Sequence, residues 1–179
     1  MKLVDRVSAW LVSHGIDHAI IGAAALAAHG VARATLDLDL LATDPACLDE
    51  QGWGEIRATG ATVEIRRGDA ADPLRGVVRI ASEGEAPVDL IVGRSPWQRE
   101  LIGRATLLRI ADTAIPVARA ADLVLLKLYA GGPQDAWDID QLLDVDTTLV
   151  ADVEARLGAL PDECAVLWQR ILRQRGPSR

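Results

Sequence analysis

Apolar residues Leu3, Val4, Val7, Trp10 and Leu11 recur three and four apart, the spacing that gathers one face of a helix, and Gly15 ends the pattern. The continuous run His18-Ala19-Ile20-Ile21 predicts a short buried strand. Gly22 breaks it, and residues 23–29, mostly alanine, predict a helix closed by Gly30. Leu36-Asp37-Leu38-Asp39-Leu40-Leu41 then switches to period two. In a strand this puts Leu36, Leu38 and Leu40 toward a core and Asp37 and Asp39 together on the other face. Further strands are predicted near 62–66, 77–81 and 88–92, and residues 107–110 and 115–117 bracket Ala111-Asp112-Thr113 as a hairpin. After Pro116 the pattern turns helical, over 120–130, over 133–144 beyond Gly131-Gly132, and in a last helix with Pro161 in its first turn. This order predicts an α+β fold: a small mixed β-sheet flanked by helices, with a helical C-terminal third. A single domain over 1–179 is expected, its core at about 16–118 and its helical part at about 119–179, joined without a Gly/Ser/Pro-rich linker.

Composition narrows the classes. With 179 residues, half of them hydrophobic and a quarter charged, the chain can bury a core without disulfides or structural metal. Cys47 and Cys164 stand far apart and outside any paired motif, which fits a reducing compartment. The longest apolar run, 19–28, has ten residues, where a membrane span needs about 20. The start lacks the layout of a signal peptide, so a cytoplasmic protein with no membrane partner is expected. The net charge of −7 excludes a protein that coats nucleic acid by bulk electrostatics. Four arginines, Arg170, Arg173, Arg175 and Arg179, crowd the last ten residues. They suit the C-terminal end of a helix dipole, and they are also a candidate local surface for RNA. Aromatic residues are too few for a base-stacking platform, and Trp10, Trp97, Trp137 and Trp168 read as core anchors.

The informative chemistry is carboxylate. Two like charges on one strand face are unfavourable unless water or a cation screens them, and such hard oxygen donors suit Mg²⁺ or Mn²⁺. An isolated Asp-x-Asp equally suits a solvated edge strand. Two further features change the weighing. Gly22 sits where a strand opens into a helix, and such a junction offers backbone N–H groups to a phosphate. Asp89 stands alone in Val88-Asp89-Leu90-Ile91-Val92, where an ionised group needs a partner, a metal or water. Three strand carboxylates beside a phosphate seat have the makings of a two-metal phosphoryl-transfer site.

At this point the sequence resembles the polymerase-beta-like nucleotidyltransferase superfamily, in its bacterial abortive-infection and toxin–antitoxin branch. The resemblance runs through residues 21–30 and Arg33-Ala34-Thr35-Leu36-Asp37-Leu38-Asp39-Leu40-Leu41, through Val88-Asp89-Leu90-Ile91, and through a helical motif from Ala121 to Leu128 and on to Gln134-Asp135-Ala136-Trp137-Asp138-Ile139. It covers about residues 16–143. It implies the family's fold, with Asp37, Asp39 and Asp89 as catalytic metal ligands for Mg²⁺ or Mn²⁺ on neighbouring strands. Where the family carries Gly-Gly or Gly-Ser in the turn, this chain has Gly22-Ala23, which lacks a phosphate-binding hydroxyl and keeps the backbone donors.

The nucleotide-binding candidates are Gly22, Ala23, Arg33, Thr35, Lys127 and Asp135. Lys127 is the only lysine besides Lys2 and lies in an apolar helix. Its ammonium suits a triphosphate, and a snorkelling side chain is the bland alternative. Asp135 is expected to orient Lys127 or the substrate, Asp138 to be structural, and His29 to sit at a helix end. The function expected is metal-dependent transfer of a nucleoside monophosphate from a nucleoside triphosphate (NTP) to an acceptor hydroxyl of RNA, such as tRNA, or of protein, as the toxin of a pair with a cognate antitoxin. The alternatives are an inactive binding or regulatory protein of the same fold, transfer to a small-molecule antibiotic, and an unrelated α+β interaction protein.

Overall fold

A computed structural model describes residues 2–33, 35–110 and 113–176. The chain divides into two compact units, one of residues 1–24 and 34–118, the other of residues 25–33 and 119–179.

The first unit contains α1 (Leu3–Ser13), β1 (His18–Ile21) and the start of α2 (Gly22–Ala28). Next come β2 (Leu38–Ala42), α3 (Gly54–Ala58), β3 (Thr62–Arg67), β4 (Leu74–Ala81) and β5 (Val88–Gly93). It closes with α4 (Pro96–Gly103), β6 (Thr106–Ile110) and β7 (Thr113–Val117). Among the described residues the strands form one mixed sheet in the order β3-β4-β5-β2-β1-β7-β6. β2 lies antiparallel to β1 and parallel to β5, and β4 runs antiparallel to β5 and β3. β1 pairs in parallel with β7, which forms the predicted hairpin with β6; Ala111 and Asp112 of its turn lie outside the described residues. Leu40, Leu90, Val78 and Ile80 are buried on the central strands, and α1 sinks Leu3, Val7 and Leu11. Removing that apolar surface from water is the main stabilising term.

The second unit holds the rest of α2 with α5 (Ala120–Ala130), α6 (Pro133–Val145), α7 (Leu149–Leu157) and α8 (Asp162–Arg175). α5 ends at Gly131, in the left-handed conformation at φ +70°, where its N–H bonds the carbonyl of Lys127 at 2.9 Å. Gly132 and Pro133 then start α6, and Asp135 accepts the Gly132 N–H at 3.1 Å. Ile139, Leu142, Leu143, Val153, Trp168 and Ile171 form its core.

Four expectations need correcting. Asp37 lies in a bend just before β2, so the period-two segment is a strand only from Leu38. Leu36 is 87% exposed and does not enter the core. The hydroxyl of Thr35 both donates to the Asp37 carbonyl and accepts its N–H, and this local turn competes with strand pairing. Trp137 is 47% exposed and is no core anchor, unlike Trp10, Trp97 and Trp168. Pro161 caps α8 from outside rather than sitting in its first turn. No described helix is long and apolar enough to cross a membrane.

Candidate active site

The site builds outward from β2. Asp39 is the direct register partner of Asp89 on the parallel neighbour β5, and Asp89 is in turn the partner of Arg79 on β4. Register partners share a face of the sheet, with strands about 4.8 Å apart. One face therefore carries Arg79, Asp89 and Asp39 side by side on three consecutive strands. Arg79 Nη1 donates to Asp89 Oδ2 at 2.8 Å and to Asp37 Oδ2 at 3.4 Å, and Nη2 also reaches Asp37 Oδ2 at 3.4 Å. Asp37, although outside the strand, is drawn to the same guanidinium as Asp89. The two anions, Asp89 first and Asp37 next, hold the Arg79 pKa above its already high ordinary value.

Asp39 is placed by a glycine. Gly22 opens α2 at φ +63°, a backbone conformation that disfavours any Cβ. A Cβ there would stand 2.0 Å from Asp39 Oδ2 and 2.8 Å from its Cγ. The turn after β1 thus accepts the Asp39 carboxylate against bare backbone, and no other residue type leaves that space. Ala23 follows as a buried helical residue. α2 is only seven residues long, so its dipole is short. With Asp39 lying over the turn, a phosphate approaching Gly22 and Ala23 meets an anion and needs a cation between them.

The donor set fits a divalent cation in kind. The carboxylate oxygens are hard ligands, and two of the three groups already converge on a positive group, the guanidinium of Arg79. The arrangement is not a closed metal cage: among the described residues no group of three or more side chains stands in metal-ligating geometry.

The second unit contains its own polar cluster. Lys127 is 9% exposed and pairs with Asp135 at 2.8 Å and Asp138 at 2.6 Å. Asp138 is 0% exposed and also receives Arg33 at 2.7 Å. Lys127 is therefore held by two carboxylates and does not snorkel into water. Asp135 accepts from Lys127 and also caps α6. Arg33 is an ion-pair partner, and the His29 N–H bonds the Ala25 and Leu26 carbonyls at the end of α2. The C-terminal arginines are partly spent: Arg175 bonds Asp140 at 3.0 Å and Asp144 at 2.5 Å, and Arg173 bonds the Gln169 carbonyl at 3.1 Å. Arg179 lies outside the described residues.

Arg79 is absent from the residues singled out in the sequence. Its signal is the one that marks Asp89, a single ionised residue inside an apolar strand, here Val77-Val78-Arg79-Ile80.

No protein-family model and no curated protein matches the chain. Solved structures do. ANT(2'')-Ia, in complex with adenylyl-2''-tobramycin, is 16% identical, with a TM-score of 0.54 over 94% of this chain and 96% of that one. The lincosamide antibiotic adenylyltransferase LnuA, with lincomycin bound, is 9% identical, with a TM-score of 0.50 over 80% of this chain and 96% of that one. An antigenic nucleotidyltransferase-like protein from Paracoccidioides brasiliensis is 17% identical, with a TM-score of 0.50 over 92% of this chain and 90% of that one. At such identities the likeness speaks for architecture: the chain shares the fold of these nucleotidyltransferase and adenylyltransferase structures.

Proposed function

We propose that the protein is a metal-dependent nucleotidyltransferase that moves a nucleoside monophosphate from an NTP to an acceptor hydroxyl. The observation that carries this reading is the row Arg79, Asp89 and Asp39 on one sheet face, with Asp37 joined through Arg79 and Gly22 making room for Asp39. In the reaction the acceptor oxygen forms a bond to the α-phosphorus. The bond from that phosphorus to the α,β-bridging oxygen breaks, and pyrophosphate leaves with the electron pair. Asp89 takes the hydroxyl proton. Backbone N–H groups at Gly22 and Ala23 steady phosphate oxygens. Divalent ions held by Asp37, Asp39 and Asp89 would supply charge neutralisation of the triphosphate and a lower pKa for the attacking hydroxyl. Thr35 contributes by fixing the bend that carries Asp37. Triphosphate contact by Lys127, Arg33 and Asp135 is part of the proposal. It rests on the resemblance and on the cationic character of the first two.

For the acceptor, the pairing of Arg175 with Asp140 and Asp144 removes charge from the surface expected to hold RNA. A small-molecule antibiotic, the class of molecule named with ANT(2'')-Ia and LnuA, gains weight as acceptor over tRNA or protein. A toxin role with a cognate antitoxin belongs to the macromolecular reading. A second reading, a nucleotidyltransferase-fold binding module without activity, is favoured by the guanidinium seated among the carboxylates. Incubating the protein with α-labelled NTPs and, in separate tubes, total tRNA, cell-extract protein and hydroxyl-rich antibiotics separates these. Label on an antibiotic alone supports the small-molecule acceptor, and label on RNA or protein supports a toxin-like acceptor. Mg²⁺-dependent NTP binding without label on any acceptor supports the inactive module.

A further inference from the structure

We propose that Arg79 is a tethered counter-ion of Asp37 and Asp89 that must leave before a divalent cation enters; this rests on the nucleotidyltransferase reading of the same site.

Three observations carry the inference. The first is position. Arg79 is held by backbone register directly opposite Asp89, so its guanidinium is always within reach of that carboxylate. The second is valence. A single nitrogen, Nη1, donates to both Asp89 and Asp37, and Nη2 adds a further contact to Asp37. One positive charge thus does for two anions what a divalent ion would do with two, and a guanidinium never loses its proton to make way. The third is mobility of the head group. The Arg79 side chain is 42% exposed, so it has water to move into, and a partly exposed ion pair is weak enough to exchange for a stronger cation.

The seat has two consequences. The carboxylates stay together in the metal-free protein instead of repelling one another. Asp89 Oδ2 is engaged by Nη1, so the guanidinium occupies an oxygen that a cation would take. Arg79 is a positioning residue, acting through the carboxylates and not on the reacting atoms.

The test is Mn²⁺ binding by titration calorimetry to the nucleotide-free protein, in the wild type, Arg79→Gln and Arg79→Lys. Removing the competing charge in Arg79→Gln should tighten Mn²⁺ binding about tenfold. Metal-free Arg79→Gln should melt below the wild type, with Mn²⁺ closing the gap. Arg79→Lys keeps the charge without the fork and should fall between the two. Nitrogen NMR of the arginine side chains in the wild type gives a second reading should Arg79→Gln not fold: the Arg79 guanidinium resonance should shift and broaden as Mg²⁺ is added. Equal or weaker Mn²⁺ binding by Arg79→Gln, or an Arg79 resonance indifferent to Mg²⁺ that does bind, overturns the inference and leaves the nucleotidyltransferase reading standing. Absence of Mn²⁺ binding by every protein, with and without ATP, overturns both.

Discussion

Gly22 and Asp39 form a unit that neither makes alone. The glycine adopts φ +63°, and the carboxylate fills the space where a side chain would stand. Gly22→Ala should therefore strain the backbone and expel Asp39 together, at a cost of roughly 1–3 kcal/mol. Urea denaturation should show the loss, and Mg²⁺-dependent stabilisation by ATP should vanish. A variant with wild-type stability and ATP response would contradict this placement of Asp39. His18 gives a second residue-scale expectation. Its ring is buried and bonds Ser8 Oγ at 2.7 Å, and burial lowers its pKa below the ordinary 6.5. The folded protein thus keeps His18 neutral where the unfolded chain takes up a proton. Its contribution is complete above about pH 6.5 and is lost as the pH falls below it, by at most about 1.4 kcal/mol per pH unit. His18→Asn should flatten that acid limb in denaturation curves taken between about pH 5 and 8, and an unchanged slope would assign the limb to other groups. At this scale Asp39 and Asp89 were legible, because an ionised residue in an apolar strand stands out. Asp37 was misplaced for a physical reason: Thr35 offers the backbone a hydrogen-bonded turn that leucine–aspartate alternation does not reveal.

At the scale of elements, the strands β1, β3, β4, β5 and the β6–β7 hairpin were readable from apolar runs, and α1, α2, α5, α6 and α8 from helical spacing. α3, α4 and α7 were not recognised. α4 carried a usable start signal, Ser95-Pro96-Trp97-Gln98, in which the Gln98 side chain accepts the Ser95 N–H at 2.9 Å. Its eight residues, lying between two strands, were too few for apolar periodicity to declare itself. Pairings between helices carry no such local signature. Lys127 on α5 meets Asp135 and Asp138 on α6, and the buried Asp138 depends on Lys127 and Arg33 for its charge balance. Lys127→Met should leave a buried carboxylate with Arg33 alone and destabilise the protein by about 3 kcal/mol. Methionine packs like the lysine stem but supplies no charge to Asp138. Thermal melting of Lys127→Met decides it, and an unchanged midpoint would mean that Arg33 suffices for Asp138.

At the scale of the whole molecule, local patterns determined the α+β class, since strands and helices segregate along the chain and the sheet lies wholly in one unit. The sheet order was not legible. It places β5 beside β2, although α3, β3 and β4 intervene in sequence, and that crossover brings Asp89 to Asp39. The central claim is nucleotidyl transfer at those carboxylates. Its most direct measurement is a comparison of α-labelled with γ-labelled NTP, incubated with Mg²⁺ and the pooled acceptors, for the wild type and Asp39→Asn. The account predicts that the α label passes to an acceptor while the γ label leaves as pyrophosphate. It also predicts that transfer stops with chelator and falls at least a hundredfold in Asp39→Asn, the scale of losing an electrostatic contributor to catalysis. Transfer of the γ label, or α transfer undiminished in Asp39→Asn, would contradict it.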